Sequence, residues 1–176
     1  LRNAGDWINE SNGLGFDPVL PGYVFLDGGD QAIRGNSITR FHNLYLDNSG
    51  TKYATLDVEV DSLLDLGNHQ FDLDTNKVFV FNTASNVINR NRGFIRSLGN
   101  GGIERIMNST DSYLFPVGFE IGGDTIYRPA EITPNSTGSY VYRVRLAEND
   151  PNLDNLSREE RDLLICAIND RFYHKI

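Results

Sequence analysis

The residues of this chain that could do chemistry are three histidines, one cysteine, a row of alternating carboxylates and a few arginines. His42, His69 and His174 lie far apart, and none has the short spacing by which a zinc site gathers ligands. Cys166 sits on or beside an apolar stripe and reads as a small buried hydrophobe rather than a nucleophile. As the only cysteine it excludes an internal disulfide and a multi-cysteine metal site. Serines, histidines and aspartates occur without a Gly-x-Ser-x-Gly elbow to present a nucleophile. Asp72-Leu-Asp-Thr-Asn76 has the oxygen-rich start of a calcium loop but lacks its glycine and distal glutamate, so a solvated turn is expected. Asp57, Glu59 and Asp61 alternate along one strand face. They could hold calcium, the one cofactor the sequence leaves open, or they could blunt lateral aggregation, which needs fewer assumptions. Arg90, Arg92, Arg96 and Arg105 are the only basic concentration. Without a phosphate-cradling loop and helix beside them, they read as a solvated strand face. No catalytic residue is assigned.

The elements that must position these groups are short strands. Gly22–Leu26, Gln31–Gly35 and Ser37–Asp47 are predicted strands, separated by Asp27-Gly-Gly-Asp30 and followed by the turn Asn48-Ser-Gly50. From Thr55 to Asn82 the alternation becomes regular. Leu56, Val58 and Val60 share a face, Leu64 and Leu66 continue it, and Phe71, Leu73, Val78 and Val80 resume it after polar corners. That pattern predicts an all-β chain, either a degenerate β-solenoid or a sandwich of short strands. Tyr113–Gly118, Ile126–Thr133 and Ser139–Leu146 are expected to form one antiparallel sheet that closes the core. Pro116 and Pro129 then sit where an edge or bulge tolerates a missing amide. Phe115 and Val117 should be buried, with at least two of Tyr140, Tyr142, Val144 and Leu146. Ser157-Arg-Glu-Glu160 is a capping box ahead of Leu163, Leu164, Ala167 and Ile168, which predicts one short helix over 157–167. Asn169–Ile176 reads as a last strand. Residues 1–110 thus form a solenoid-like region and 111–176 an antiparallel sheet with a helical insert, together one continuous module.

Composition bounds the partners. The 176 residues suffice for one domain with a sizeable core, and 23% charged with 39% apolar residues is ordinary globular composition. With 24 acidic and 16 basic residues the net charge is −8, which argues against nucleic acid or an anionic membrane as partner. No apolar run is long enough to span a bilayer. The chain opens at Leu1 without a signal-peptide pattern, so the expectation is a piece of a longer protein.

Several segments together resemble a family of β-rich repeat modules in secreted, surface-displayed proteins of Bacteroidota. Gly5-Asp-Trp-Ile-Asn9 matches the family's opening Gly-x-Trp-x-Asn, and Gln31-Ala-Ile-Arg-Gly35 its Gln-x-Ile-x-Gly. Phe41-His-Asn-Leu-Tyr-Leu-Asp-Asn-Ser-Gly50 matches Phe-x-Asn-Leu-x-Ile-x-Asn-x-Gly. Tyr113-Leu-Phe-Pro-Val-Gly118 with Tyr127-Arg-Pro129 matches the closing Tyr-x-Phe-Pro-Val-Gly … Tyr-Arg-Pro, and Phe172-Tyr-His174 is similar to a weaker terminal motif. The resemblance covers residues 5–146, and the charged segment around 150–166 departs from it. It implies an extracellular or cell-surface setting reached by type IX secretion, in gliding and adhesive bacteria, and it carries no catalytic residues.

Three classes of function follow. The first is a non-catalytic structural or adhesive module that spaces or presents neighbouring domains of the same polypeptide or meets other surface proteins. The second is a carbohydrate-binding module with surface polysaccharide as partner, using Trp7, Tyr23 or Tyr140 as stacking rings on a common flat face. The third is a β-helical polysaccharide lyase or hydrolase, which needs a groove with convergent carboxylates or a carboxylate–arginine pair.

Overall fold

The structure is a computed structural model that describes residues 1–12, 21–159 and 169–176. Polar corners keep its strands short, and up to Met107 each strand pairs with one a full coil away along the chain. The N-terminal strands are β1 (Arg2–Asn3), β2 (Trp7–Asn9), β3 (Tyr23–Leu26), β4 (Gln31–Gly35), β5 (Thr39–Leu46) and β6 (Lys52–Ala54). They are followed by β7 (Val58–Asp65), β8 (Gln70–Asp72), β9 (Lys77–Val80), β10 (Ile88–Asn89), β11 (Phe94–Arg96) and β12 (Gly102–Met107). The first sheet runs β1-β3-β5-β7-β9-β12 and the second β2-β4-β6-β8-β11, with parallel pairing throughout both. This is a β-solenoid of about five turns, not a sandwich. A coil takes twenty residues from Tyr23 to Asn43 and again from Val58 to Val78, but twenty-five from Val78 to Ile103. The repeat is therefore degenerate, because the corners vary in length while the strands keep register.

Stacking aligns inward side chains into columns. Thr39, Val58, Val78, Ile103 and Val144 form one, and Val24, Leu44, Leu64 and Ile88 another. Nearly all are fully buried, each apolar member stabilising the fold by about 1.5–3 kcal/mol relative to exposure. Close stacking also restricts the corners. Gly35 has φ 136°, and a Cβ there would lie 2.0 Å from the Asn9 carbonyl oxygen on the preceding coil. Only glycine lets the two coils approach so closely.

Two columns hold a cation. In the second sheet Lys52 stands between Gln31 and Phe71. Its ammonium donates to the carbonyls of Gly28 (2.8 Å), Gly29 (2.6 Å) and Ser49 (2.9 Å) and to Gln31 Oε1 (3.0 Å). In the first sheet Arg105 occupies the column of Phe41, Val60 and Val80, donating to the carbonyls of Leu114, Ala84 and Ser85. Both side chains are fully buried. Lys52 thus ties the corners after β3 and β5 together, and Arg105 ties the segment after β9 to Leu114 of the closing part.

The C-terminal part closes one end. It contains β13 (Tyr113–Phe115), β14 (Gly118–Ile121), β15 (Asp124–Tyr127), β16 (Ala130–Ile132), β17 (Tyr140–Ala147) and β18 (Tyr173–Lys175). The three segments expected in one antiparallel sheet divide instead among three. β13 pairs with β16, β14 pairs with β15, and β17 joins the solenoid's first sheet, antiparallel to β12 and flanked by β18. The prolines are the reason. Pro116 falls between β13 and β14 and Pro129 between β15 and β16, so each predicted strand breaks where an amide is missing. Val117, just past the first break, bridges to Ile95 and so extends the second sheet by one residue. Phe115, Val117, Val144 and Leu146 are buried as expected. The predicted helix over 157–167 lies mostly outside the described residues. Ser157 Oγ accepts the Glu159 amide, and a single 3-10 turn at Pro151–Asp154 precedes it.

Candidate functional site

The three rings expected on a common face do not share one. Trp7 is half-buried, edge-on to Phe41 at 5.1 Å between centroids, and packs against the core. Tyr23 is 55% exposed on β3, and Tyr140 is 40% exposed on β17 opposite Met107. Five strand spacings separate β3 from β17, about 24 Å, too far for one sugar to touch both. What the coil length does bring beside Tyr23 is Tyr45, and beside Tyr45, Phe25. Phe25 and Tyr45 stack at 4.6 Å with 21° between planes, and the Arg2 guanidinium lies 4.6 Å over the Phe25 ring. These partners are set by register, so spacing along the chain does not announce them.

This ladder borders a groove of about 360 Å³ on the outside of the first sheet, lined by Phe25, Tyr45, Asp47, Asp65, His69 and Asn91 among others. The Asn48 amide and then Arg2 hold the Asp47 carboxyl below the usual carboxylate range. Burial, and then Asp65, push the Tyr45 phenol up. Asp65 Oδ1 accepts the Gly67 amide, and His69 Nδ1 lies 3.1 Å from the Gly50 carbonyl. Two stacked aromatic rings beside carboxylates and amides make a surface for hydroxyl-bearing ligands.

A second groove, about 350 Å³, lies outside the second sheet and is lined by Tyr53, Asp72, Asp74, Thr75, Asn76 and Arg96 among others. It contains the carboxylate–arginine pair that the enzyme alternative asks for, because coil register sets Tyr53, Asp72 and Arg96 side by side. Arg96 is engaged on both sides, however. It donates to Asp72 at 2.9 Å and through Nε to Glu148 at 2.9 Å, tying the solenoid to the chain beyond β17.

The remaining candidates are used within the fold. Asp57 Oδ1 accepts the Lys77 amide at 3.0 Å, and Asp61 takes Arg40 at 2.6 Å. His174 Nε2 lies 2.7 Å from the Arg128 carbonyl. Among the described residues no group of three or more His, Cys, Asp or Glu side chains could hold a metal ion. The four arginines do not form a solvated face. Arg90 packs over Tyr127 at 3.9 Å, and Arg105 is fully buried. Arg105 faces inward because it shares the parity of Ile103 and Met107. Burial pulls its guanidinium down to about 10, still protonated at neutral pH. Cys166 lies outside the described residues.

No family model matches the chain, and no curated protein or solved structure matches it. Among the described residues no helix is long and apolar enough to cross a membrane.

Proposed function

We propose that this chain is a non-catalytic structural or adhesive module of a large secreted cell-surface protein, spacing or presenting neighbouring domains. The observation that carries the reading is where its ion pairs run. Arg2 on β1 pairs with Asp27 and Asp47, at the ends of β3 and β5. Arg40 on β5 pairs with Asp61 on β7, and Arg96 on β11 with Asp72 on β8. Glu104 on β12 pairs with Lys77 on β9 and Arg143 on β17. Each pair joins strands from different levels of the stack, which supports a role in holding register. Individually such pairs contribute about 0–1 kcal/mol, but together they resist slippage along the axis.

Pulling the chain end to end between two reference domains tests this. A spacer should resist extension and then lengthen coil by coil, and extension at forces typical of a disordered linker refutes it. Turnover of any polysaccharide in a panel, abolished by changing one acidic residue, would also overturn it. A second reading, a carbohydrate-binding module, is favoured by the grooves beside Tyr45 and Tyr53. Retention on a neutral-glycan array, lost in Tyr45→Ala or Tyr53→Ala, would select it.

A further inference from the structure

Beyond that reading, we infer that the end of the first sheet carries a binding site for an oxyanion group, a carboxylate, sulfate or phosphate, held by Arg145 and Lys175. The site is a groove of about 410 Å³ lined by Asn100, Gly101, Glu104, Arg143, Arg145 and Lys175 among others, with the Glu104 carboxylate taken up by Arg143 and Lys77. It forms where the corner before β12 meets the antiparallel strands β17 and β18.

Arg145 is the deciding residue. Its side chain is 9% exposed, and its Nε has no hydrogen-bond partner. Among the described residues the guanidinium makes no hydrogen bond at all. Its ion pair is a long one, with Asp154 Oδ2 at 3.9 Å from the guanidinium, on a carboxylate that also accepts the Tyr173 hydroxyl. A buried guanidinium without an acceptor is costly, since burial removes the water that would otherwise serve its five N–H groups. Lys52 and Arg105, the other deeply buried cations among the described residues, each reach three or more oxygens. Arg145 stands apart from both.

Register adds a second cation. Arg145 and Lys175 are direct cross-strand partners, so their side chains leave the same face of neighbouring strands. Like charges set opposite each other destabilise a strand pair, and an anion between them reverses the sign. Lys175 makes no ion pair among the described residues. Arg143, two positions along the same face, is already committed to Glu104 and to the Asn100 carbonyl, and Glu104 also serves Lys77. Gly102 contributes no side chain, and the Arg143 stem lies over it, since a Cβ there would meet Arg143 Cγ at 2.9 Å. An oxyanion here meets a planar fork from Arg145 and a mobile point charge from Lys175. Because the molecule as a whole carries −8, such a site would be local and short-ranged.

The test is isothermal titration of the chain with sodium sulfate, phosphate, acetate, galacturonate and, as the neutral control, galactose. The expected result is one saturable site in the millimolar range for anions and none for galactose. Affinity should fall with added salt, at least tenfold in Arg145→Gln and severalfold in Lys175→Gln, and stay unchanged in Arg92→Gln. Lys175 is exposed, so Lys175→Gln still decides the matter if Arg145→Gln does not fold. Galacturonate binding tenfold above acetate and sulfate assigns the oxyanion to an acidic saccharide, and equal binding of sulfate or phosphate assigns it to a free ion. The absence of saturable binding for every anion overturns the inference, as does undiminished binding in Lys175→Gln.

Discussion

Replacing Lys52 by methionine tests the claim that a buried ammonium pins the corners of adjacent coils. Methionine keeps most of the stem that covers Phe71 in the column but removes the donor to Gly28, Gly29, Ser49 and Gln31. Hydrogen bonds to a charged group contribute about 1.5–3 kcal/mol each, while the buried ammonium has lost hydration worth several kcal/mol. Four such bonds against that penalty leave a net contribution of about 3–5 kcal/mol, the range seen when one partner of a buried charged cluster is removed. In a domain of this size 1 kcal/mol moves the melting midpoint by roughly 2–4 °C, so a drop of about 6–20 °C is expected. Lys77→Met is the control. Its ammonium is 35% exposed and stands 3.4 Å from Glu104, so its loss should cost only about 0–1 kcal/mol. Thermal melts of parent and both variants, followed by far-ultraviolet circular dichroism, give the answer. If Lys52→Met melts with the parent, the corner carbonyls find other donors and the reasoning fails.

The same lysine predicts a pH dependence. Burial lowers its pKa below the 10.5 it recovers on unfolding, so between those values the unfolded chain binds more protons and stability rises with pH. Tyr45, Tyr127 and Tyr173, whose phenols are raised chiefly by burial, act in the opposite direction above about 10, since the folded chain keeps their protons longer. Urea melts across that window should therefore show the stability gap between parent and Lys52→Met widening as pH rises, and a constant gap would count against the shift. Phe115→Ala should cost about 3–5 kcal/mol, because the ring is fully buried beneath the closing segment, whereas exposed Thr137→Ala should change a denaturant midpoint hardly at all. Gly35→Ala places a methyl against the Asn9 carbonyl at positive φ and should cost at least about 2 kcal/mol, read as increased protease cleavage in the first coils. Low-millimolar calcium should shift the melting midpoint by less than about 1 °C, given that Arg40 holds Asp61 and the Lys77 amide holds Asp57. A rise of several degrees, lost in the Asp57→Asn, Asp61→Asn double variant, would reveal a calcium site.

Alternation at Val58, Val60, Val78 and Val80, with polar corners between, is a property of local chain geometry. Side chains two apart must share a face, so the sequence alone determined the all-β character and the inward apolar residues between Val58 and Val80. Pro116 and Pro129, expected at an edge or bulge inside continuous strands, break those strands instead, since each removes a ladder amide. Only the tertiary structure decided which strands pair. Solenoid stacking brings together residues twenty or twenty-five positions apart, and that step depends on corner lengths that local pattern leaves undetermined. For that reason local pattern does not show Tyr45 as the neighbour of Phe25 or Asp72 as the neighbour of Arg96, and it does not separate Tyr23 from Tyr140, which stand five strand spacings apart. Arg105 and Arg145 show the same limit from the side of charge. An arginine in a strand reads as solvated until the coil places it in a column or under a groove. Its burial is a property of the neighbouring turns, and no residue adjacent in sequence records it.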